Sequence, residues 1–205
     1  MAEPSRFQDS GYVNWLKAGQ SLICTAEGIY AFCDVAIRNY HLALHQKFPR
    51  QPCDGPCQEQ SLCPSCLARH QEWEQDILSQ LTPGSDPGQT NPGKPLWERE
   101  AWEIAEVFMR PSHESFRAGG GDTISLVQLV TNCRLFASSI ANRQSFVDVT
   151  AIRRNLFQST DFKLTNTELK DHIKAMVTLL EDPTQLKNDA RATQAVQQLH
   201  QVKEN

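Results

Sequence analysis

The sequence predicts an all-α protein. Three observations carry this reading. Apolar residues recur at three-and-four spacing through most of the chain, no segment alternates apolar and polar residues as a half-buried strand does, and recognisable helix starts precede the periodic stretches. With 205 residues there is enough chain for one domain of ordinary size with a substantial core, and no internal repeat is present.

Residues 1–10 are polar, include Pro4, and read as a disordered tail; Ser10 can cap a helix starting near Gly11. From Tyr12 to Phe48 helical phase is kept by Trp15, Leu22, Ala26, Ile29, Cys33, Ile37, Tyr40 and Leu44, as one long helix or as two with a break near Thr25 to Gly28. Glycine costs about 1 kcal/mol in a helix interior, so Gly19 and Gly28 mark close packing or a kink. Cys24 and Cys33 read as small core residues. Residues 49–66 form a cysteine-rich loop, followed by a helix over Leu67 to Leu81 with Trp73, Ile77 and Leu81 on one face. Residues 82–95 hold four prolines and three glycines and are expected to be a mobile surface loop.

A helix is predicted over Trp97 to Met109, with Trp97, Ala101, Ile104 and Phe108 inward. Pro111 and Gly119-Gly120-Gly121 bound another loop, and Asp122 caps a helix with the stripe Leu126, Leu129, Val130, Cys133 and Phe136. Ser138 to Arg143 then turns into a helix with Phe146, Val149, Arg153, Leu156 and Phe157 on one stripe. The next helix opens on Thr165-Asn166-Thr167-Glu168, which fits a capping box, and buries Leu169, Ile173, Met176 and Leu180 until Asp182-Pro183 ends or bends it. Residues 11–181 are read as a single helical domain. Residues 182–205 are Gln-rich with a sparse stripe of Leu186, Val196 and Leu199, a marginal helix or a tail.

The net charge of -4 gives no global drive toward nucleic acid or anionic membrane. From Arg143 to Lys174 six Lys/Arg (143, 153, 154, 163, 170, 174) face four Asp/Glu (148, 161, 168, 171), too small an excess for a phosphate-binding patch. The first residues lack an apolar signal core, no window reaches a transmembrane length, and no Asn-x-Ser/Thr sequon occurs, so no membrane partner is expected. Seven cysteines, odd in number and unevenly placed, point to a reducing intracellular compartment, cytoplasmic or nuclear. No small-molecule substrate is evident.

The strongest chemical signal is Cys53-x3-Cys57-x5-Cys63-x2-Cys66. A Cys-x2-Cys turn lets two thiolates reach one ion, and a second close pair completes a tetrahedral shell that suits Zn(II). Its role would be structural, because a closed S4 shell leaves no open position for substrate. His70, one turn into the following helix, is a reserve ligand. The alternative is four unligated thiols or a disulfide. His41 and His45 share a helix face and are expected to be solvated, since no Glu follows His41 as a zinc-protease pattern requires. Asp171 and His172 face different directions, Cys133 belongs to the core, and the tryptophans default to core. Gly119 to Gly121 is no phosphate loop, for no Lys-Ser/Thr follows it.

Ile152-Arg153-Arg154-Asn155-Leu156-Phe157-Gln158-Ser159 and the following Thr160-Asp161-Phe162-Lys163-Leu164 resemble the end of a HEPN domain (higher eukaryotes and prokaryotes nucleotide-binding). That family is an all-helical bundle, and many members are ribonucleases that pair two copies of an Arg, spacer, His motif. Arg153 falls on the motif arginine, Arg154 where Asn is frequent, and Gln158 on the histidine. A one-residue shift fits Arg154-Asn155 better and puts Ser159 in the histidine place. Asn14-Trp15-Leu16-Lys17-Ala18-Gly19, Trp97-Glu98 to Phe108-Met109, Asn132-Cys133 and the Arg153 stretch recur in this order in a HEPN subgroup found in some RNA-binding ubiquitin ligases and invertebrate immune proteins, so the resemblance covers roughly residues 11–181.

The resemblance implies a HEPN-like helical bundle that tends to dimerise, with an inserted cysteine-rich zinc loop. A glutamine amide or a serine has no usable proton affinity near neutral pH, so neither serves as the base. The expected function is therefore non-enzymatic: a dimerisation or protein-interaction module with a degenerate motif, as a homodimer or with a heteromeric protein partner, and with RNA-linked partners. Arg153 itself is expected to be structural, bonding carbonyls or a carboxylate. The alternatives are a metal-independent endoribonuclease and a nucleic-acid-binding module that uses the cysteine loop.

Overall fold

The structure, a computed structural model, describes residues 6–50, 53, 63–85, 97–109 and 123–204. Its elements are α1 (Ser10–Lys47), α2 (Pro64–Ser79), α3 (Ala101–Glu106), α4 (Thr123–Asn132), α5 (Arg143–Gln158), α6 (Asn166–Leu180) and α7 (Ala190–Glu204), with short 3-10 turns between some of them. Among the described residues there is no strand, only an isolated bridge between Leu81 and Cys133, so the all-α expectation holds. No described helix is long and apolar enough to cross a membrane. Asp122, the glycine run 119–121 and positions 86–95 of the Pro/Gly loop lie outside the described residues.

α1 is one helix of 38 residues with no break near Gly28. Asp9, not Ser10, satisfies its first amides: Oδ1 accepts from Gly11 N–H at 2.9 Å and Tyr12 N–H at 3.3 Å. The hydroxyls of Ser21 and Thr25 bond back to the carbonyls of Lys17 and Ser21 at 2.8 and 2.7 Å, so both are buried without an orphaned group. Gly28 marks close packing: a Cβ there would meet Ala195 Cβ and Leu180 Cδ2 at 2.8 Å. A Cβ at Gly19 would meet no packing neighbour within 4 Å among the described residues.

The chain divides into two compact units. The first holds residues 1–32, 119–127 and 138–205. Within it α5 packs on α6 and α6 on α7. α5 buries Ser145, Phe146, Val149, Ile152 and Leu156, whereas Phe157 is 57% exposed. The expected stripe is thus corrected by one position: the buried arc centres on Val149, Ile152 and Leu156, and Phe157 lies about 100° past Leu156. α6 opens on the expected capping box, with Thr165 Oγ1 accepting from Glu168 N–H at 3.2 Å and the Glu168 carboxylate accepting from Thr165 N–H at 2.7 Å.

Residues 182–205, expected as a marginal helix or a tail, carry α7. Ala192, Ala195 and Leu199 are buried there and Leu186 ahead of them, so alanines fill the places where a reading for large apolar residues found gaps. Asp182 does more than end α6. It is buried, and its carboxylate accepts N–H groups from Ala141 (2.9 Å), Asn142 (2.9 Å) and Thr184 (3.1 Å) as well as the Thr184 hydroxyl. Asn142 is the N-cap of α5, so this carboxylate fixes where α5 begins.

The second unit holds residues 33–118 and 128–137. Pro64 is at the first turn of α2, where its missing N–H costs nothing. α2 stops at Ser79, short of the predicted Leu81, because Leu81 turns to bridge Cys133 and the neighbouring bonds Thr82 N–H to Asn132 O (2.8 Å) and Arg134 N–H to Gln80 O (2.7 Å) form. α3 is shorter than the predicted 97–109: Val107, Phe108 and Met109 bond three residues back rather than four, which tightens and ends it. Its predicted inward set of Trp97, Ala101, Ile104 and Phe108 is buried nonetheless, as are Trp73, Ile77, Leu129, Val130, Cys133 and Phe136.

Candidate functional site

Cys63 is the N-cap of α2 and Cys66 lies in its first turn, so the Cys-x2-Cys pair presents both sulfurs at a helix N-terminus, where the backbone dipoles favour negative charge. Cys53 reaches the pair from the other end of the loop. Its Sγ is 2.8 Å from Cys66 Sγ and 3.9 Å from Cys63 Sγ, and the three sulfurs lie within 4.8 Å of one another. These three cysteines could hold a metal ion. With Zn–S bonds of about 2.3 Å, the sulfurs of a tetrahedral site stand about 3.8 Å apart, so the Cys53–Cys63 spacing fits and the Cys53–Cys66 pair would open by about 1 Å. Cys57 lies outside the described residues. His70 is not a fourth member, for its ring stacks on Trp97 with centroids 5.1 Å apart and planes at 13°.

The ends of this loop are held by Arg69, which no spacing or motif in the sequence singled out. Arg69 is buried; its Nε donates to the Phe48 carbonyl at 2.8 Å and its Nη1 to Glu98 Oε2 at 2.9 Å. Phe48 follows α1 directly and Arg69 is on α2, so one guanidinium ties the two helices that flank the cysteines. His41 and His45, expected on a solvated face, are instead half-buried. Their ring centroids are 4.6 Å apart and both rings meet Trp73 edge to face, at 5.8 and 5.0 Å. His45 Nε2 lies 3.1 Å from the Glu98 carbonyl, while the buried His41 Nε2 makes no hydrogen bond of ordinary geometry among the described residues. Burial, with His45 beside it, holds the His41 pKa below its ordinary value. Burial pushes the Cys33 thiol well up, in keeping with an inert core cysteine.

The Arg153 stretch lies in the first unit. Arg153 is half-buried, and its guanidinium carbon is 4.8 Å from the centroid of the Phe157 ring, one turn on. Arg154 and Asn155 are exposed, as is Gln158, the last residue of α5. Ser159, the histidine position in the shifted register, donates its hydroxyl to Asp161 Oδ1 at 2.7 Å. That bond holds the Asp161 carboxyl below its ordinary pKa. His172 on α6 is half-buried; burial lowers its pKa although Glu168 and Asp171 oppose the shift.

What sequence reading missed here is an aromatic cluster. Trp15 is half-buried, with Phe157 and Phe162 edge-on at 6.3 and 5.2 Å and Tyr12 stacked at 6.2 Å; Phe7 in turn meets Tyr12 at 5.7 Å. Trp15 Nε1 donates to the Leu156 carbonyl at 2.9 Å, and Asn14 Nδ2 donates to Leu164 O at 3.1 Å and Asn166 Oδ1 at 2.8 Å. A count of aromatics after residue 156 next to an Asn-Trp pair was the available signal, but assigning Phe157 inward hid it.

The family model described as Domain of unknown function (DUF4559) matches residues 6–205. The chain is 26% identical over 179 residues to the Mus musculus protein named Uncharacterized protein CXorf38 homolog, an alignment that covers 82% of this chain and 54% of that protein. The chain therefore spans about half the length of the curated relative it matches. No solved structure matches it.

Proposed function

The chain belongs to the family described as Domain of unknown function (DUF4559), and from that premise we propose that it is a non-catalytic protein-interaction module on a HEPN-like helical bundle, with a degenerate ribonuclease motif and a zinc-stabilised loop. The observation that carries this reading is the chemistry at the end of α5. In neither register does an imidazole stand where the motif needs a proton acceptor: one position holds the exposed amide of Gln158, the other the Ser159 hydroxyl bonded to Asp161. General acid–base catalysis contributes typically about 10²–10⁴-fold, and that contribution is missing here. The Arg153 guanidinium faces an aromatic ring, a use that suits an interface better than a phosphate clamp.

The module works as a homodimer or with a heteromeric protein partner, inside the cell, in cytoplasm or nucleus. Cys53, Cys63 and Cys66, with Cys57, hold one structural Zn(II). The ion would pin the loop between α1 and α2, whose sequence is poor in large apolar residues. The test is to incubate wild type, Arg153→Ala and His172→Ala with mixed RNA and a chelator, and to follow mass by light scattering. No cyclic-phosphate ends should form, and wild type should scatter as a dimer or take up a protein partner. Cleavage by wild type that Arg153→Ala abolishes would overturn the non-catalytic reading. Cleavage gained only in Gln158→His would identify the register and keep that reading.

A further inference from the structure

We propose that the cysteine cluster at the start of α2 is a redox switch: peroxide joins Cys53 to Cys66 in a disulfide, expels the metal ion and frees Cys63. This gives the zinc loop a regulation and rests on the zinc reading given above. The described cysteines fall into two sets. Cys24, Cys33 and Cys133 are buried in the core. Cys53, Cys63 and Cys66 are half-buried, so theirs are the sulfurs a small oxidant meets first. Oxidation of a thiol stays reversible where a second sulfur stands close enough to resolve it, and otherwise runs on to sulfinic and sulfonic acids. Here that second sulfur is in place.

The distances pick out the pair. Two sulfurs on one zinc stand about 3.8 Å apart, and two in a disulfide about 2.0 Å. Cys53 and Cys63, at 3.9 Å, are set for the metal. Cys53 and Cys66, at 2.8 Å, lie between the two states and need to close by about 0.8 Å to bond. Cys53 is the member that can make this move. It comes from the far end of the loop and belongs to no helix, whereas Cys63 caps α2 and Cys66 lies in its first turn. Three residues after Cys66, Arg69 ties α2 to the Phe48 carbonyl and to Glu98, so the helix keeps its place while the loop cysteine shifts.

The oxidant is hydrogen peroxide, and the step balances with it. A metal-bound cysteine is already a thiolate, the form that attacks. One of the two sulfurs attacks the peroxide, the O–O bond breaks, a sulfenic acid forms and hydroxide leaves. The other sulfur attacks the sulfenic sulfur, the S–S bond forms and a second hydroxide leaves. Each sulfur has given one electron to the peroxide, and two protons from solvent turn the hydroxides into water. Cys63 is then the one thiolate left among the described donors, too few for a tetrahedral shell, and the ion departs. In a reducing compartment the thiol form is the resting one, and a dithiol reductant resets it.

The experiment adds hydrogen peroxide to the full chain as purified, its zinc content having been measured first. A chromogenic chelator reads zinc release, and mass spectrometry of alkylated, unreduced digests reads the sulfur pairing. About one zinc per chain should be released as the Cys53–Cys66 disulfide forms, and dithiothreitol with added zinc should reverse both. Cys24, Cys33 and Cys133 should stay thiols. Cys63→Ser should still form the disulfide, because the bonding pair is intact. In Cys53→Ser the resolving sulfur is gone, and Cys66 should run on to sulfinic acid. Zinc that stays bound under peroxide, a disulfide with any other pairing, or irreversible oxidation of wild type overturns the switch and leaves the zinc reading standing. Protein that carries no zinc as purified overturns both.

Discussion

Cys53 and Cys66 bring their sulfurs to 2.8 Å across 13 positions of sequence. Closing a loop of that length without a bond or an ion has an entropic cost and little burial to offset it, since both residues are only half-buried. A metal bridging Cys53, Cys63 and Cys66 would supply the missing term; a cross-link closing a similar loop is worth about 3 kcal/mol. Purified protein should therefore carry about one zinc per chain. Chelation, or Cys63→Ser with Cys66→Ser, should lower the stability read from urea midpoints by about 3 kcal/mol, with the loop then open to proteolysis. Protein that is metal-free as purified and indifferent to chelator removes the zinc centre.

Two glycines of α1 should respond in opposite directions. A methyl on Gly28 would press on Ala195 and Leu180 at 2.8 Å, and Ala195 Cβ is fixed to a helix and cannot swing away. Gly28→Ala should destabilise by about 1–3 kcal/mol, the usual effect of overpacking. A Cβ at Gly19 would meet no packing neighbour within 4 Å among the described residues, so Gly19→Ala should gain about 0.5–1 kcal/mol from helix propensity alone. Urea melts of the two variants decide this, and equal gains from both would mean that α7 does not pack on α1.

The buried carboxylate of Asp182 should matter more than its place after a helix suggests. Burial pushes its pKa up, but the Thr184 hydroxyl and the N–H groups of Asn142, Ala141 and Thr184 outweigh that, and the carboxyl stays below its ordinary value. Asp182→Ala would strand these donors, at about 1–3 kcal/mol for each one left unsatisfied. Loss of about 3 kcal/mol or more, with earlier exchange of the Ala141 and Asn142 amides, is the expected result. Asp182→Asn keeps one acceptor oxygen and should lose less. Wild-type stability in Asp182→Ala would count against the buried network.

How much of this was legible in the sequence follows from which signals are local. Helical phase found the buried faces of α1 and α6, and the capping box at Thr165 was read from four adjacent residues. Helix ends were harder. The end of α2 depends on Leu81 pairing with Cys133, and the end of α3 on a change to hydrogen bonds that reach three residues back instead of four, neither of which is written locally. The packing of α7 was missed because alanines carry it. At the cysteines, spacing picked out a group whose described members do meet, whereas Arg69 and the Trp15 cluster are built by residues distant in sequence and left no spacing to find.

The paired imidazoles should make the protein acid-sensitive. His41 is held below its ordinary pKa of 6.5 chiefly by burial and then by His45, and His172 is depressed by burial alone, against Glu168 and Asp171. In the unfolded chain both titrate near 6.5. As pH falls through that value the unfolded state takes up protons that the folded state refuses, so stability is full above about pH 6.5 and declines below it until the lower folded values are reached. The carboxylates with depressed pKa, Asp76 and Asp182 among them, lose their contribution only at lower pH, so the two losses are separable. His41→Phe should flatten part of the slope: it removes a half-buried titrating ring and keeps an aromatic edge against Trp73. The measurement is a series of urea midpoints between about pH 7.5 and about pH 5, spanning the histidine range. A wild-type profile that is level across that range, or one that His41→Phe leaves equally steep, would show that these imidazoles reach solvent freely in the folded protein.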